Sequence, residues 1–378
     1  MYHELEPYRS YFPFLKSGKI YMNHAAISPM SAMVMDKLQQ FISIRSEGAI
    51  DDFKLFMQEG EHVKQMLGTL LNTTSDRIAF SDNTSNALNI FAQGLRLQAG
   101  DEVILNDVEF PSNVYPFLNL QSDGVKIVYA KSNNGVVAAE DIISCITPAT
   151  KVVSVSFVQF LSGYRINLKT LTDYCKPRGI IVCVDAIQGL GAINLDLKET
   201  PVDFIAAGCQ KWLMGTMGLA FIYVSKELQE MMQPRYVGWL SVKNAWNLLN
   251  FDLSLKSDAS AFQSGTLNVM GIFALSGALE LFEKTGHALR EEVVLENTGY
   301  FINHLLEIGF RPFMASYPKE SQSGIITFHP DNGMEIFTHL ENANIVCSLR
   351  EGMIRFAPHF YNTRAEIDIV IDELLKLQ

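Results

Sequence analysis

The stretch GCQKWLMG, residues 208–215, places Lys211 directly after Gly-Cys-Gln and ahead of a run of large apolar side chains. An unpaired ammonium is among the most costly groups to bury. Either the stem of Lys211 carries its amine out to solvent, or the amine does chemistry. Desolvation lowers a lysine pKa from about 10.4 toward the range in which the neutral amine attacks a carbonyl carbon. One strand-like run earlier, IIVCVDAIQGLGAINLDL sets Asp185 immediately after an apolar strand. That carboxylate either caps a helix or faces a cationic ligand atom, and Gln188 follows closely enough to aim its amide into the same crevice. Adjacent parallel strands ending in an acid and a lysine form a site able to hold a ring between them.

Upstream, AFSDNTSNALNIFAQGL places Asn83, Thr84 and Ser85 at the start of a helix marked by Ala87, Leu88, Phe91 and Leu95. Hydroxyls, exposed N–H groups and the positive dipole end suit an anion. The plainer reading is an ordinary helix cap. Phe110, in VEFPSNVYPF, lies just past another strand end, where a lone aromatic is ordinarily core.

These residues need a frame. From about residue 75 to 225, β-branched runs alternate with helix-like stretches: EVILN, VKIVYA, KVVSVSFV, IIVCV, VDFIAA and LAFIYV. That alternation predicts an α/β domain with a mainly parallel sheet covered by helices, whose ligand site lies at the carboxyl ends of the strands. Beyond about residue 255, two long amphipathic helices near 268–284 and 288–308 precede the strand-like SGIITFH, NIVCSL and MIRFA, and a last helix begins at Thr363. This predicts a smaller α+β C-terminal domain. The division drawn is 20–255 for the large domain and 1–19 with 256–378 for the small one.

With 378 residues, 48% of them hydrophobic and 19% charged, the chain can bury a core large enough for two domains. A net charge of -11 without a long basic run argues against nucleic acid and against an anionic membrane surface as partners. Small metabolites are the expected partners. The five cysteines show neither CxxC nor Cys/His metal spacing and suit free thiols in a reducing cytoplasm. The opening MYHELEPYRSYFPFL does not read as a secretion signal, no run is long enough to span a membrane, and the expected location is cytoplasmic. The glycine-rich dinucleotide and P-loop motifs, HExxH and GxSxG are all missing.

The ordered set YMNHAAISP at 21, DNTSNALN at 82, VEFPSNVYP at 108, VDAIQ at 184, AAGCQKW at 206, FQSGTLN at 262 and IRFAPHFYNT at 354 resembles the class V aminotransferase family. These are fold-type I pyridoxal-phosphate enzymes that also include cysteine desulfurases, kynureninases and isopenicillin N epimerase-like proteins. The resemblance covers nearly the whole chain. It implies pyridoxal 5'-phosphate as cofactor, bonded to Lys211 as an imine, with Lys211 afterwards carrying protons. Asp185 would pair with the pyridine nitrogen. Gln188 would hydrogen-bond the phenolic oxygen, with Gln159 a second candidate for that edge. Thr84 and Ser85 would hold the phosphate, Gln210 could donate to it, and Phe110 would stack on the ring. Thr266 would reach the partner's cofactor, which implies a homodimer. Arg355 would bind the substrate carboxylate, or else be an exposed strand residue. Arg165 and Arg350 are further candidate cations. Asn23 and His24 would lie at the active-site entry, or form a turn.

Two positions depart from the desulfurase pattern. Phe110 and Gln210 stand where desulfurases carry histidine, and Cys347 lies in an apolar strand-like run rather than a mobile loop. The expectation is therefore an aminotransferase exchanging an amino group between an amino acid and a 2-oxo acid. A kynureninase-like lyase or hydrolase, or an epimerase, is the nearest rival, with sulfur transfer disfavoured. A non-catalytic scaffold or an unrelated α/β binding protein are the readings from other classes.

Overall fold

A computed structural model describes residues 2–377. Its strands run in chain order as β1 (Ile20–Tyr21), β2 (Ile78–Ser81), β3 (Glu102–Asn106), β4 (Lys126–Ala130), β5 (Thr150–Ser156), β6 (Ile181–Asp185), β7 (Phe204–Gly208), β8 (Ala220–Val224), β9 (Ile326–Phe328), β10 (Ile345–Val346), β11 (Ser348–Arg350) and β12 (Met353–Phe356). A seven-stranded sheet has the order β2-β8-β7-β6-β5-β3-β4. Its β3, β4, β5, β6 and β7 pair in parallel, whereas β8 is antiparallel to both of its neighbours. The sheet is thus mixed and mostly parallel. The exception has a simple cause: the 209–219 connection that carries Lys211 is too short for the crossover a parallel return requires.

The runs are apolar throughout because both sheet faces are covered. Val182, Val184, Ile205 and Ala207 enter one buried cluster, while Cys183, Phe204 and Ala206 enter the other, as strand alternation demands. On the second face, Phe91 of the helix Thr84–Gly94 packs 4.8 Å from Phe204, ring centre to ring centre. Strand order reverses between β3 and β5, so the loops leaving the carboxyl ends of β3, β5, β6 and β7 open onto a common crevice.

The C-terminal part holds the antiparallel sheet β11-β12-β9 and the helices Val269–Thr285, His287–Glu307 and Arg364–Leu375. Thr363 caps the last helix in a capping box with Glu366. The stretch NIVCSL, read as one strand, divides at Cys347: β10 pairs with β1, and β11 pairs with β12. The N-terminal segment lies on this part. Arg9 donates to the Tyr361 carbonyl and to Glu366, and Phe12 packs 4.0 Å from Tyr361 between ring centres. Contacts cross the drawn domain boundaries, since β1 joins β10, and helices Ala32–Glu47 and Phe53–Leu71 pack on Val269–Thr285.

The loop 157–165 straps the two parts together. Phe160 O accepts from Arg355 Nη1 at 2.6 Å, Leu161 O from Thr327 at 2.6 Å, and Gly163 O from Ser323 at 2.7 Å.

Candidate active site

Lys211 sits in the β7–β8 connection with its neighbour turned inward. Trp212 is fully buried, its indole N–H donating to Gln188 Oε1 at 3.0 Å. Lys211 is partly exposed, and its amine lies 5.7 Å from the centre of the Phe110 ring. Burial holds the Lys211 pKa below its ordinary value; Asp185 opposes this, and the charges of Arg355 and Arg350 reinforce it.

Asp185, at the end of β6, is 3% exposed. One oxygen, Oδ1, accepts from Ile187 N at 3.0 Å, and a turn rather than a helix follows. The helix-cap reading of Asp185 is therefore replaced by a tight local turn that leaves Oδ2 without a hydrogen bond among the described residues. Burial raises its pKa, the nearby Glu109 adds to the rise, and Lys211 counters it. Among the described residues, Asp185 and Lys211 form no ion pair within 4.0 Å. The two groups are close enough to shift each other's pKa yet more than 4.0 Å apart, which leaves a gap between them.

At one end of that gap is the helix Thr84–Gly94, whose Asn83 side chain accepts from Asn86 N at 2.8 Å. The first-turn N–H groups of Thr84 and Ser85 have no intrahelical acceptor. Thr84 Oγ1 is buried without a hydrogen-bond partner. A Cβ placed on Gly208 would lie 2.7 Å from Gln210 Oε1 and 3.0 Å from Thr84 Oγ1. Glycine at that point leaves a cradle that any side chain would fill. Ser85 shares a 2.7 Å hydroxyl–hydroxyl contact with Ser112.

Phe110 is 42% exposed and meets Phe160 edge-on at 5.2 Å. Its position is fixed by Glu109, which the sequence reading did not single out. This buried carboxylate accepts from Asn106 Nδ2 at 2.6 Å, Ser156 N at 2.8 Å and Gln159 Nε2 at 3.0 Å, and also from the Ser156 hydroxyl. An acid set between Val108 and Phe110 was the available signal, because an ionised group in such surroundings needs several donors. Gln159 Oε1 remains buried without a partner. Gln188 is committed at both ends of its amide, to Trp212 and, at 3.0 Å, to the Ala25 carbonyl.

The other expected residues separate into two groups. Arg355 faces the crevice, is 2% exposed and is not a solvated strand residue; it is held by Phe160 O and by Ser348 Oγ at 3.2 Å. Asn23 bridges to Ala357 through its backbone, and its Oδ1 is buried without a partner. His24, in contrast, is fully buried behind Trp212. Its Nδ1 contacts the Ala357 carbonyl at 2.9 Å, its Nε2 contacts the Tyr361 hydroxyl at 2.8 Å, and burial lowers its pKa to about 3. With both ring nitrogens occupied, His24 acts as a neutral brace. Arg165 is also engaged elsewhere, donating to Glu320 O at 2.6 Å and pairing with Glu291 at 2.9 Å. Thr266 lines a cavity of about 610 Å³ with Asn86, Asn89 and Tyr236, to which neither Asp185 nor Lys211 contributes.

Residues 20–370 match the family model described as aminotransferase class V. The chain belongs to the aminotransferase class V family. Among similar proteins is the uncharacterized aminotransferase YcbU of Bacillus subtilis (strain 168), 28% identical, with 99% of this chain and 98% of the relative covered. A probable cysteine desulfurase of Ureaplasma parvum serovar 3 is 27% identical over 99% of this chain and 98% of its own. The apo structure of a cysteine desulfurase from Thermococcus onnurineus NA1 superposes with a TM-score of 0.89 at 20% identity, covering 98% of this chain and 97% of that one. The fold is therefore that of fold-type I pyridoxal-phosphate enzymes.

The class V chemistry runs on pyridoxal 5'-phosphate, and the residues present fit it. The unpartnered Thr84 hydroxyl and the open cradle at Gly208 suit a phosphate. The free oxygen of Asp185 suits a protonated ring nitrogen, and Phe110 offers an aromatic face beside Lys211.

Proposed function

We propose that this class V enzyme is an aminotransferase that moves an amino group from an amino acid to a 2-oxo acid. Use of the cofactor is supported by Asp185 and Lys211 at the ends of adjacent strands, both shifted by burial and not in contact with each other. The observation that carries transamination over sulfur transfer is the burial of Cys347. When bound, pyridoxal 5'-phosphate supplies an electron-withdrawing ring that stabilises negative charge beside the substrate nitrogen.

The chain's own residues do the rest. Lys211 would hold the cofactor through Nζ and, when free, would carry a proton there, which its lowered pKa makes ready to accept and return. Asp185 Oδ2 holds the ring nitrogen in its protonated form. Thr84, Gln210 and the helix N–H groups would take the phosphate, the Gln159 amide, whose Oε1 is unpartnered, would hydrogen-bond the phenolic oxygen, and Phe110 would position the ring. Arg355 takes the substrate carboxylate through a guanidinium already oriented by Phe160 and Ser348. Thr266 reaches the cofactor of a second copy, so the working unit is a homodimer. Five free cysteines favour the cytoplasm.

Sulfur transfer has less support. Cys347 is 5% exposed, and burial pushes its thiol up to about 12, far from a nucleophilic thiolate. An amino-acid panel tests the reading. Incubation of the purified holoenzyme with its amino acid should release the matching 2-oxo acid and leave pyridoxamine 5'-phosphate, one for one. Alanine and sulfide from cysteine would overturn it in favour of a desulfurase. Cleavage or racemisation without pyridoxamine 5'-phosphate would overturn it in favour of a lyase or an epimerase.

A further inference from the structure

The hairpin β11–β12 presents a second cation to the crevice. Its turn is Glu351–Gly352, with φ of 48° and 79°, the two-residue geometry in which both central residues are left-handed and the register is fixed. Ser348 lies opposite Arg355 and Arg350 opposite Met353. Alternation therefore places Ser348, Arg350, Met353 and Arg355 on one face. The hydrogen bond from Arg355 Nε to Ser348 Oγ confirms that face, and Arg355 Nη1 on Phe160 O turns it toward the Phe110 loop. The opposite face goes to the core, where Ile354 and Phe356 are fully buried and Phe356 packs 4.9 Å from Phe301.

Arg350 and Arg355 are diagonal neighbours, about 7–8 Å apart along the backbone in such a pair. Their surroundings differ. Arg355 is buried and preset by two acceptors, whereas Arg350 is exposed and makes no ion pair or side-chain hydrogen bond among the described residues. Both lie near enough to Lys211 to depress its pKa, and Arg350 likewise depresses that of Arg355. Two like charges so placed repel each other, and among the described residues neither forms an ion pair with a carboxylate within 4.0 Å.

We propose that Arg350 binds a second anionic group on the substrate, so that the enzyme takes dicarboxylic amino acids and their 2-oxo acids. This rests on the aminotransferase reading: Arg355 takes the carboxylate next to the amine, and Arg350 takes the one at the end of the side chain. A planar guanidinium binds such a carboxylate through two parallel N–H donors. A neutral side chain leaves that cation as it is now, solvated and unpaired.

The test is equilibrium binding to the holoenzyme. Aspartate or glutamate should half-saturate the spectral change at about tenfold lower concentration than asparagine or glutamine, a difference of about 1.4 kcal/mol. Arg350→Gln should abolish that ratio, with an unchanged melting temperature. Calorimetry with succinate and butyrate supplies a readout independent of turnover: the wild type should prefer succinate, and Arg350→Gln should lose the preference. Equal affinity for acids and amides, or a ratio that survives Arg350→Gln, overturns the proposal. If no amino acid changes the spectrum, the aminotransferase reading fails; the succinate and butyrate titrations still decide the role of Arg350.

Discussion

Burial acts on Lys211 and Asp185 in opposite senses, pulling one pKa down and pushing the other up, because it disfavours the charged form of each. Both could be found in the sequence because each follows directly on an apolar strand. Glu109 was missed because, Asn106 apart, its donors come from Ser156 and Gln159, 47 and 50 residues along the chain. His24 and Arg165 show the reverse: polar residues near site motifs, but held by Tyr361 and Glu291 from far along the chain. His24 yields a pH prediction. Its folded pKa, about 3, lies below the ordinary value of 6.5, so the unfolded chain binds the extra proton. Its contribution to stability is complete above pH 6.5 and is lost as pH falls toward 3. His359 is shifted in the same direction. Urea unfolding across this window should show stability falling with acid, and His24→Gln should flatten the slope by about one proton.

At the scale of elements, the strand runs were legible because sheet burial on both faces makes them continuously apolar. The direction of β8 was not, since direction depends on the length of the connection and the pairing partner rather than on composition. The split of NIVCSL at Cys347 likewise follows from two different partners, β1 and β12. The end of β7 carries a direct test of the phosphate cradle. Gly208→Ala would bring a methyl to 2.7 Å from Gln210 Oε1 and 3.0 Å from Thr84 Oγ1. The variant should fold with an unaltered circular dichroism spectrum yet retain cofactor at least about tenfold more weakly in dialysis, consistent with lost charge-assisted hydrogen bonds. Unchanged retention would place the phosphate elsewhere.

For the whole molecule, the segment 236–254 exposes an unusual amount of apolar surface. Leu249 is 90% exposed and Phe251 94%, with Tyr236, Trp246, Leu248 and Leu253 also exposed. Such a patch marks an interaction site, and Tyr236 also lines the Thr266 cavity. The homodimer reading predicts that sedimentation gives twice the mass of the chain. On the same reading the dimer completes the site, so Leu249→Asp with Phe251→Asp should shift the protein toward monomer and weaken cofactor retention together. A monomer with full retention would refute that link. Sequence resemblance supplied the family and the expected dimer, while the 157–165 strap between the two parts became visible only through its contacts with Ser323, Thr327 and Arg355.

Every role proposed for the site depends on Lys211 being the amine that holds the cofactor. Borohydride reduction of the protein with pyridoxal 5'-phosphate, followed by peptide mass mapping, tests it most directly. One phosphopyridoxyl group per chain is expected, on the peptide containing Lys211, and none in Lys211→Ala. Label on another lysine, or no label on a folded protein saturated with cofactor, would contradict it.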